Sequence, residues 1–291
     1  MRVTLAVLVI GASACASSGT PTTPRTEPNP TPVLDTIFVD EFDGASIDRA
    51  KWEIYTGPVY NDEQQEYVDD PATMRIVRDG EAAGATGGAL LIRGVYHPGR
   101  KAGGGRADFT SGRLHARTSY RYGTVAARMK LPTGAGLWPA FWLLGVGDWP
   151  GHGEIDIMEN IGDSSWVNAA LHGPGYSGDT PLVRRDTFPA GIDATAWHVY
   201  EVNWTPISVA FKVDGAEYYR VMREDVARYG APAAIDSVKY VILNLALGGG
   251  YPNGVNRVTT PYFGLPASSV ARVERDEARV LVDWVRWTRP R

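Results

Sequence analysis

Three acids, Glu154, Asp156 and Glu159, fall close together in Gly153-Glu-Ile-Asp-Ile-Met-Glu-Asn160. On one face of a fold, carboxyls so spaced could share out the proton transfers of a hydrolysis. Pro150 and Gly151 before the run and Gly162 after it leave little room for a helix. Ile155 and Ile157 alternate with Glu154 and Asp156, the period of a strand with one buried face. Strict alternation would place Met158 beside the acids and turn Glu159 inward; a one-residue β-bulge at Ile157-Met158 returns Glu159 to their face. Steps of roughly 3.3 Å put the two Glu Cα atoms about 13–16 Å apart. Long side chains leaning together across a curved sheet would bring the carboxyls to about 5–9 Å, which spans both the retaining and the inverting separations of paired carboxylates that cleave glycosidic bonds. With Asp156 between them, ionising all three is costly, so one carboxyl should keep its proton near neutral pH, as a general acid must. A solvated strand face or a cation site is the other reading of such spacing.

The elements that must position these acids are legible around them. Trp138 and Trp142, in Leu137-Trp-Pro-Ala-Phe-Trp142, are four apart and share one side of a regular strand. With Trp149 just ahead of the acids, they could stack on flat pyranose faces or pack in the core. Leu90 to Tyr96, Phe109 to Ala116, Trp197 to Trp204, Ile207 to Tyr219, Tyr240 to Leu247 and Arg279 to Trp287 read as strands, with a hairpin signal at Asp214-Gly215. Tyr122 to Leu131 alternates, with Val125, Ala127 and Met129 on one face and Ala126, Arg128 and Lys130 on the other. Asp35 to Gly44 reads as a first strand and turn, and Trp52 to Tyr67 as a polar, aromatic loop. His97 to Arg106 looks like a mobile Gly-rich loop, and Gly248 opens another long loop. Val221 to Tyr229 is the best helix candidate. Many short strands with Gly and Pro turns and one minor helix indicate a sandwich or barrel.

The run Glu154-Ile-Asp-Ile-Met-Glu159, preceded by Gly136-Leu-Trp-Pro-Ala-Phe-Trp-Leu-Leu-Gly145 and Trp149-Pro150, resembles glycoside hydrolase family 16. Within that family it is similar to the bacterial laminarinases (endo-β-1,3-glucanases), from about Phe38 to Trp287. The extra Met corresponds to the bulged branch. The resemblance implies an all-β jelly-roll sandwich of two curved antiparallel sheets, with an open cleft on the concave face. It implies retaining endo-hydrolysis of β-1,3-glucan: Glu154 as nucleophile, Glu159 as acid and then base, and Asp156 orienting Glu154. His172, in His172-Gly-Pro-Gly-Tyr-Ser-Gly178, is then expected close to Glu159, helping to set its proton affinity, or else bonded to backbone at a strand end. Arg128 would face the cleft and bind sugar hydroxyls, and Asn244 would lie on the cleft side. Asn61 would hydrogen-bond a sugar or form an Asx turn. Glu41, Gly88 and Asp283 fall at the positions of a structural calcium site away from catalysis. The chemistry itself requires no metal or organic cofactor.

Length and composition bound the rest. One large all-β domain accounts for the chain. The net charge of −4, without a basic stripe, argues against nucleic acid or an anionic membrane surface as partner. A neutral polysaccharide suits it, and a monomer is expected. The single cysteine, Cys15, excludes a disulfide framework. Residues 1–15 read as an export signal, Met1-Arg2 being followed by an apolar run and small residues too short to span a membrane. Ala12-Ser13-Ala14-Cys15 resembles a lipobox, with simple signal cleavage as the alternative. Residues 16–33, rich in Ser, Thr and Pro, read as a spacer before a catalytic domain over 34–291. The expectation is therefore an exported enzyme, surface-tethered at Cys15 or secreted. Action on another β-glucan such as mixed-linkage glucan, transglycosylation, and glucan binding without cleavage remain the alternatives.

Overall fold

The structure is a computed structural model, which describes residues 34–230 and 232–291. The export signal, Cys15 and the spacer lie outside the described residues. Two mainly antiparallel sheets face one another. One runs, in spatial order, Leu182–Thr187, Trp166–His172, Glu154–Glu159, Leu137–Gly145, Lys239–Leu247, Arg113–Ala116 and Trp52–Ile54. The other runs Ala216–Met222, Ser208–Val213, His198–Trp204, Gly123–Lys130, Arg279–Pro290, Ala89–Arg93 and Met74–Val77, with Leu34–Asp40 also paired to Arg279–Pro290. A small third sheet pairs Gln65–Tyr67 in parallel with Phe109–Ser111, which pairs in turn with Val95–Tyr96.

The alternation in these strands is what holds the sheets together. Ile155, Ile157, Met158, Phe141, Leu143, Val167, Leu171, Val241, Leu243 and Leu245 bury their side chains against Val125, Ala127, Met129, Val202, Trp204, Phe211, Val282 and Trp287 of the opposite sheet. Each such side chain contributes about 1.5–3 kcal/mol, so burial across the sandwich, and not any single contact, fixes strand register.

Some elements depart from the expectations. The segment 52–67 contains two strands, Trp52–Ile54 and Gln65–Tyr67. Around 221–229 a strand continues to Met222, and only Arg223–Ala227 is helical, started by the Asp225 carboxylate accepting from the Met222 N–H at 3.0 Å. Further helices, among them Gly250–Asn256 and Ala267–Glu274, escape the sequence reading. The first is disguised by Gly and Pro, which are tolerated in a first turn. The loop 97–106 is clasped: Arg100 and Arg106 both reach the Glu66 carboxylate, at 2.7 and 2.6 Å.

Arg128 requires a correction. Its strand belongs to the sheet without the acids, and its side chain is on that sheet's outer face, so it does not face the cleft. The guanidinium stacks over Trp197 at 4.8 Å and donates to Gly84 O and, at 2.5 Å, to Asp283 Oδ2. Asp283 occupies a bulge between Val282 and Trp284, is 0 % exposed, and accepts from Thr86 N and Oγ1 at 2.8 and 2.9 Å. Glu41 is likewise engaged, bidentately, by Arg286 at 3.0 Å. Gly88 packs against the Phe42 carbonyl, close enough that a Cβ would lie 2.4 Å from that oxygen. At the three positions expected to ligate calcium, both carboxylates are thus paired with guanidinium groups.

Arg128→Ala should lower the unfolding free energy by about 2–3 kcal/mol, because the buried Asp283 carboxylate loses its counter-charge; urea denaturation measures this.

Candidate active site

The strand Glu154–Glu159 carries the expected bulge. Against Leu137–Gly145, Met158 pairs with Phe141 but Asp156 pairs with Trp142, so Ile157 is the extra residue. On the other side, Asp156 faces Ala170 and Glu159 faces Asn168, the same one-residue excess. Ile157 and Met158 both enter the core, at 1 % and 0 % exposure, and Glu159 returns to the face of Glu154 and Asp156. Cross-strand neighbours point to the same side of a sheet. Arg113, Asn244, Ala140, Glu159 and Asn168 therefore form one row across the acid-bearing face, and Tyr240, Leu144, Glu154 and His172 form another.

Each acid is held by named donors. Trp138 Nε1 donates to Glu159 Oε1 at 2.8 Å, and Asn168 Nδ2 donates to Oε2 at 3.2 Å. Asn168 is itself fixed by Tyr251, whose hydroxyl donates to Oδ1 at 2.9 Å from the helix Gly250–Asn256. Trp149 Nε1 donates to Glu154 Oε2 at 2.7 Å. His172 Nε2 lies 3.1 Å from Asp156 Oδ2. The imidazole thus touches the central acid, stands across the strand pair from Glu154, and also lowers the proton affinity of Glu159.

Burial and mutual repulsion raise all three proton affinities. Glu154 is pushed from 4.5 up to about 8, by burial first and then by Asp156, against the attraction of His172. Asp156, beneath the other two, is held well above the usual carboxylate range by burial and by Glu159. Glu159 is raised by burial, opposed by the hydrogen bond from Trp138 and the nearby His172. The trio therefore retains protons at neutral pH and carries less than its full charge. Atoms of Glu154, Asp156 and His172 that could ligate a metal lie within 4.8 Å of one another. The Trp149 N–H occupies Glu154 Oε2 and His172 Nε2 stands against Asp156 Oδ2, an arrangement suited to moving protons.

The aromatic residues divide their work. Trp138 and Trp149 use their indole nitrogens on carboxyls, while Trp142 donates to Asn244 Oδ1 at 2.8 Å. Trp149 is 49 % exposed, leaving ring surface for a sugar. Asn244 is buried, its amide also donating to Tyr67 at 3.2 Å, so it braces Trp142. Asn61 is exposed in a left-handed conformation (φ 55°), and its carbonyl accepts from Gly250 N. Arg113 is the residue missed. Its guanidinium lies over the rings of Tyr55 at 4.6 Å and Trp142 at 4.9 Å, and its Nε donates to His115 at 2.8 Å. Alternation about the buried Leu114 marked Arg113 and His115 as sharing a face opposite the core. Burial and Arg113 lower His115 to about 3, so that imidazole is neutral. Beyond Glu159, a hollow of about 190 Å³ is lined by Trp166, Arg185, Val255 and Asn256, among others.

Comparison with known proteins agrees with this arrangement. The profile described as Glycosyl hydrolases family 16 matches residues 56–256. A glucan endo-1,3-beta-glucosidase A1 of Niallia circulans is 31 % identical over 269 residues, 82 % of this chain but only 36 % of that longer protein. A beta-glucanase of Rhodothermus marinus is 33 % identical over 238 residues, covering 76 % of this chain and 78 % of the relative. Among solved structures, the laminarinase catalytic domain of Thermotoga maritima superposes with a TM-score of 0.72 at 28 % identity, over 89 % of this chain and 99 % of that one. The match of profile, sequence and fold over one continuous domain means that this chain belongs to glycosyl hydrolase family 16.

Proposed function

We propose that this protein is an endo-acting glycoside hydrolase that cleaves β-1,3-glucan of the laminarin type with retention of configuration. The observation that carries the reading is the bulged strand, which sets Glu154 and Glu159 on one open face with an indole N–H on each. The names of the relatives, a glucan endo-1,3-beta-glucosidase and a laminarinase domain, supply the linkage.

In this reading the ionised Glu154 attacks the anomeric carbon while Glu159 protonates the departing glycosidic oxygen. Glu159 then takes a proton from water, whose oxygen displaces Glu154 from the glycosyl-enzyme. Asp156 raises the proton affinity of Glu154 and, with His172 beside it, sets how the trio divides its protons. The Trp138 bond fixes Glu159's aim, and Trp149 steadies Glu154 and offers its exposed ring to the substrate. Arg113 and Trp142 would floor the cleft further along the sheet. The two-carboxylate chemistry draws on no metal or organic cofactor. The same proposal places the enzyme outside the cytoplasm, tethered through Cys15, a reading supported by the residue pattern of positions 1–15.

Purified protein should release reducing sugar from laminarin faster than from mixed-linkage glucan, and none from agarose. Proton NMR of the first products should show the β-anomer; an initial α-anomer would refute retention. Glu154→Gln should lower kcat/KM on the order of 10³-fold or more while glucan binding stays measurable.

Stability should move the other way. Glu154 has an ordinary value of 4.5 and about 8 in the fold, so between those pH values the folded state keeps a proton that the unfolded chain releases. Stability contributed by the site is therefore present at low pH and lost as pH rises through that window. Glu154→Gln should melt about 2–5 °C above wild type near pH 8, and the gap should close near pH 4. Calorimetry across pH measures both limbs. Cys15→Ser should shift activity from the membrane to the soluble fraction of an exporting host.

A further inference from the structure

Asn168, which donates to Glu159, pairs on its far side with Arg185 of Leu182–Thr187, the last strand of the sheet. Cross-strand neighbours share a face, so Arg185 ends the row that carries Glu159, two strand spacings or roughly 10 Å away. Arg185 is exposed, and its guanidinium lies over the Trp166 ring at 3.7 Å. Stacking fixes the plane of a guanidinium and leaves its edge of N–H donors free. Among the described residues none of those donors is used within the protein, and no carboxylate lies within ion-pair distance.

The hollow of about 190 Å³ opens beside this edge. Ile161 and Val255 give it an apolar wall, against which the C–H face of a sugar ring can pack. Its other polar side chains are committed. Asp163 accepts from Ser165 N and Oγ at 3.0 and 2.6 Å, and Arg185 is the least of the influences on its proton affinity. Asn256 donates to Gly264 O and accepts from Val258 N, each at 2.9 Å. Arg185 is the charged donor left over among them. The acid strand divides the face: Trp142 and Arg113 lie to one side, and the hollow with Arg185 lies to the other. A glucan chain crossing the acids has one sugar on each side of the bond to be cut, and Glu159 is held from the Asn168 side.

We infer that the hollow receives the leaving sugar of the glucan chain, and that Arg185 donates from its Trp166 platform to hydroxyls of that sugar, as the specificity-determining residue of the leaving-group side. This rests on the reading of Glu159 as the acid that protonates the departing oxygen, and deepens it. The same contacts serve an incoming sugar once the first has left. Its hydroxyl gives a proton to Glu159 while its oxygen displaces Glu154 from the anomeric carbon, so Arg185 also sets how much of the glycosyl-enzyme passes to a sugar and how much to water.

The test compares two substrates in wild type, Arg185→Ala and Arg185→Lys. One is laminaritetraose, whose leaving group is a sugar; the other is β-laminaribiosyl fluoride, whose leaving group is too small to reach the hollow. Arg185→Ala should lower kcat/KM on the tetraose about tenfold or more and keep the fluoride within about twofold of wild type. Arg185→Lys should fall between, since an ammonium lacks paired, planar donors. With laminaribiose added as acceptor, the ratio of transfer to hydrolysis from the fluoride should drop in Arg185→Ala. Equal losses on both substrates would overturn the inference, and so would an unaltered rate on the tetraose. Should the variants fail to fold, the Arg185 Nε–H signal of Glu154→Gln decides: a shift on titration with laminaritetraose supports the subsite, and a fixed signal overturns it. If wild type cleaves neither substrate, the functional reading fails, and the same titration still decides the subsite.

Discussion

One extra residue in one strand governs this molecule. Strand geometry allows every second side chain onto a given face, and the core demands Ile155, Ile157 and Met158 while the cleft demands Glu154, Asp156 and Glu159. Those demands are incompatible with strict alternation. The bulge at Ile157 reconciles them by sending two successive apolar side chains inward, so that the sandwich is filled and the third acid still emerges on the open side. A register slip would turn carboxyls into the core, and the neighbouring strands therefore resist it by packing as well as by hydrogen bonding.

Where the sequence was legible, it was legible through this conflict of periods. The bulge, the shared face of Trp138 and Trp142 and the inward face of Val125, Ala127 and Met129 all follow from alternation and turn residues, and the structure has each of them. What escaped was nonlocal. Alternation places Arg128 on the face opposite the core, but every sandwich has two such faces, and only pairing with Arg279–Pro290 and His198–Trp204 decides between them. Arg113 carries the same local signature and lies on the other sheet. Likewise, nothing near Asp283 in the chain announces that Arg128 will neutralise it, because the contact joins residues 155 positions apart. The helix Gly250–Asn256 was hidden for a different reason: its stability derives from packing, since its composition of Gly, Pro and Asn has little intrinsic helix preference.

The site and the scaffold treat charge in opposite ways. On the outer sheet, Asp283 and Glu41 are each neutralised by an arginine. In the cleft, three carboxyls are crowded without a full counter-charge, and their proton affinities rise in consequence. The sandwich is stable enough to hold that unfavourable arrangement, which is what keeps one carboxyl protonated beside another that must ionise.

The link from Tyr251 through Asn168 to Glu159 has a directional sense. With the Tyr251 hydroxyl donating to the Asn168 carbonyl, the amide presents its NH₂ to the carboxyl. Turned by half a rotation, the same amide would set its oxygen against the ionised carboxylate that Glu159 becomes after giving up its proton. The helix Gly250–Asn256, far along the chain from the acids, thereby supports the orientation of the group that faces Glu159. The orientation of one side-chain amide ties the cleft's rim to its floor.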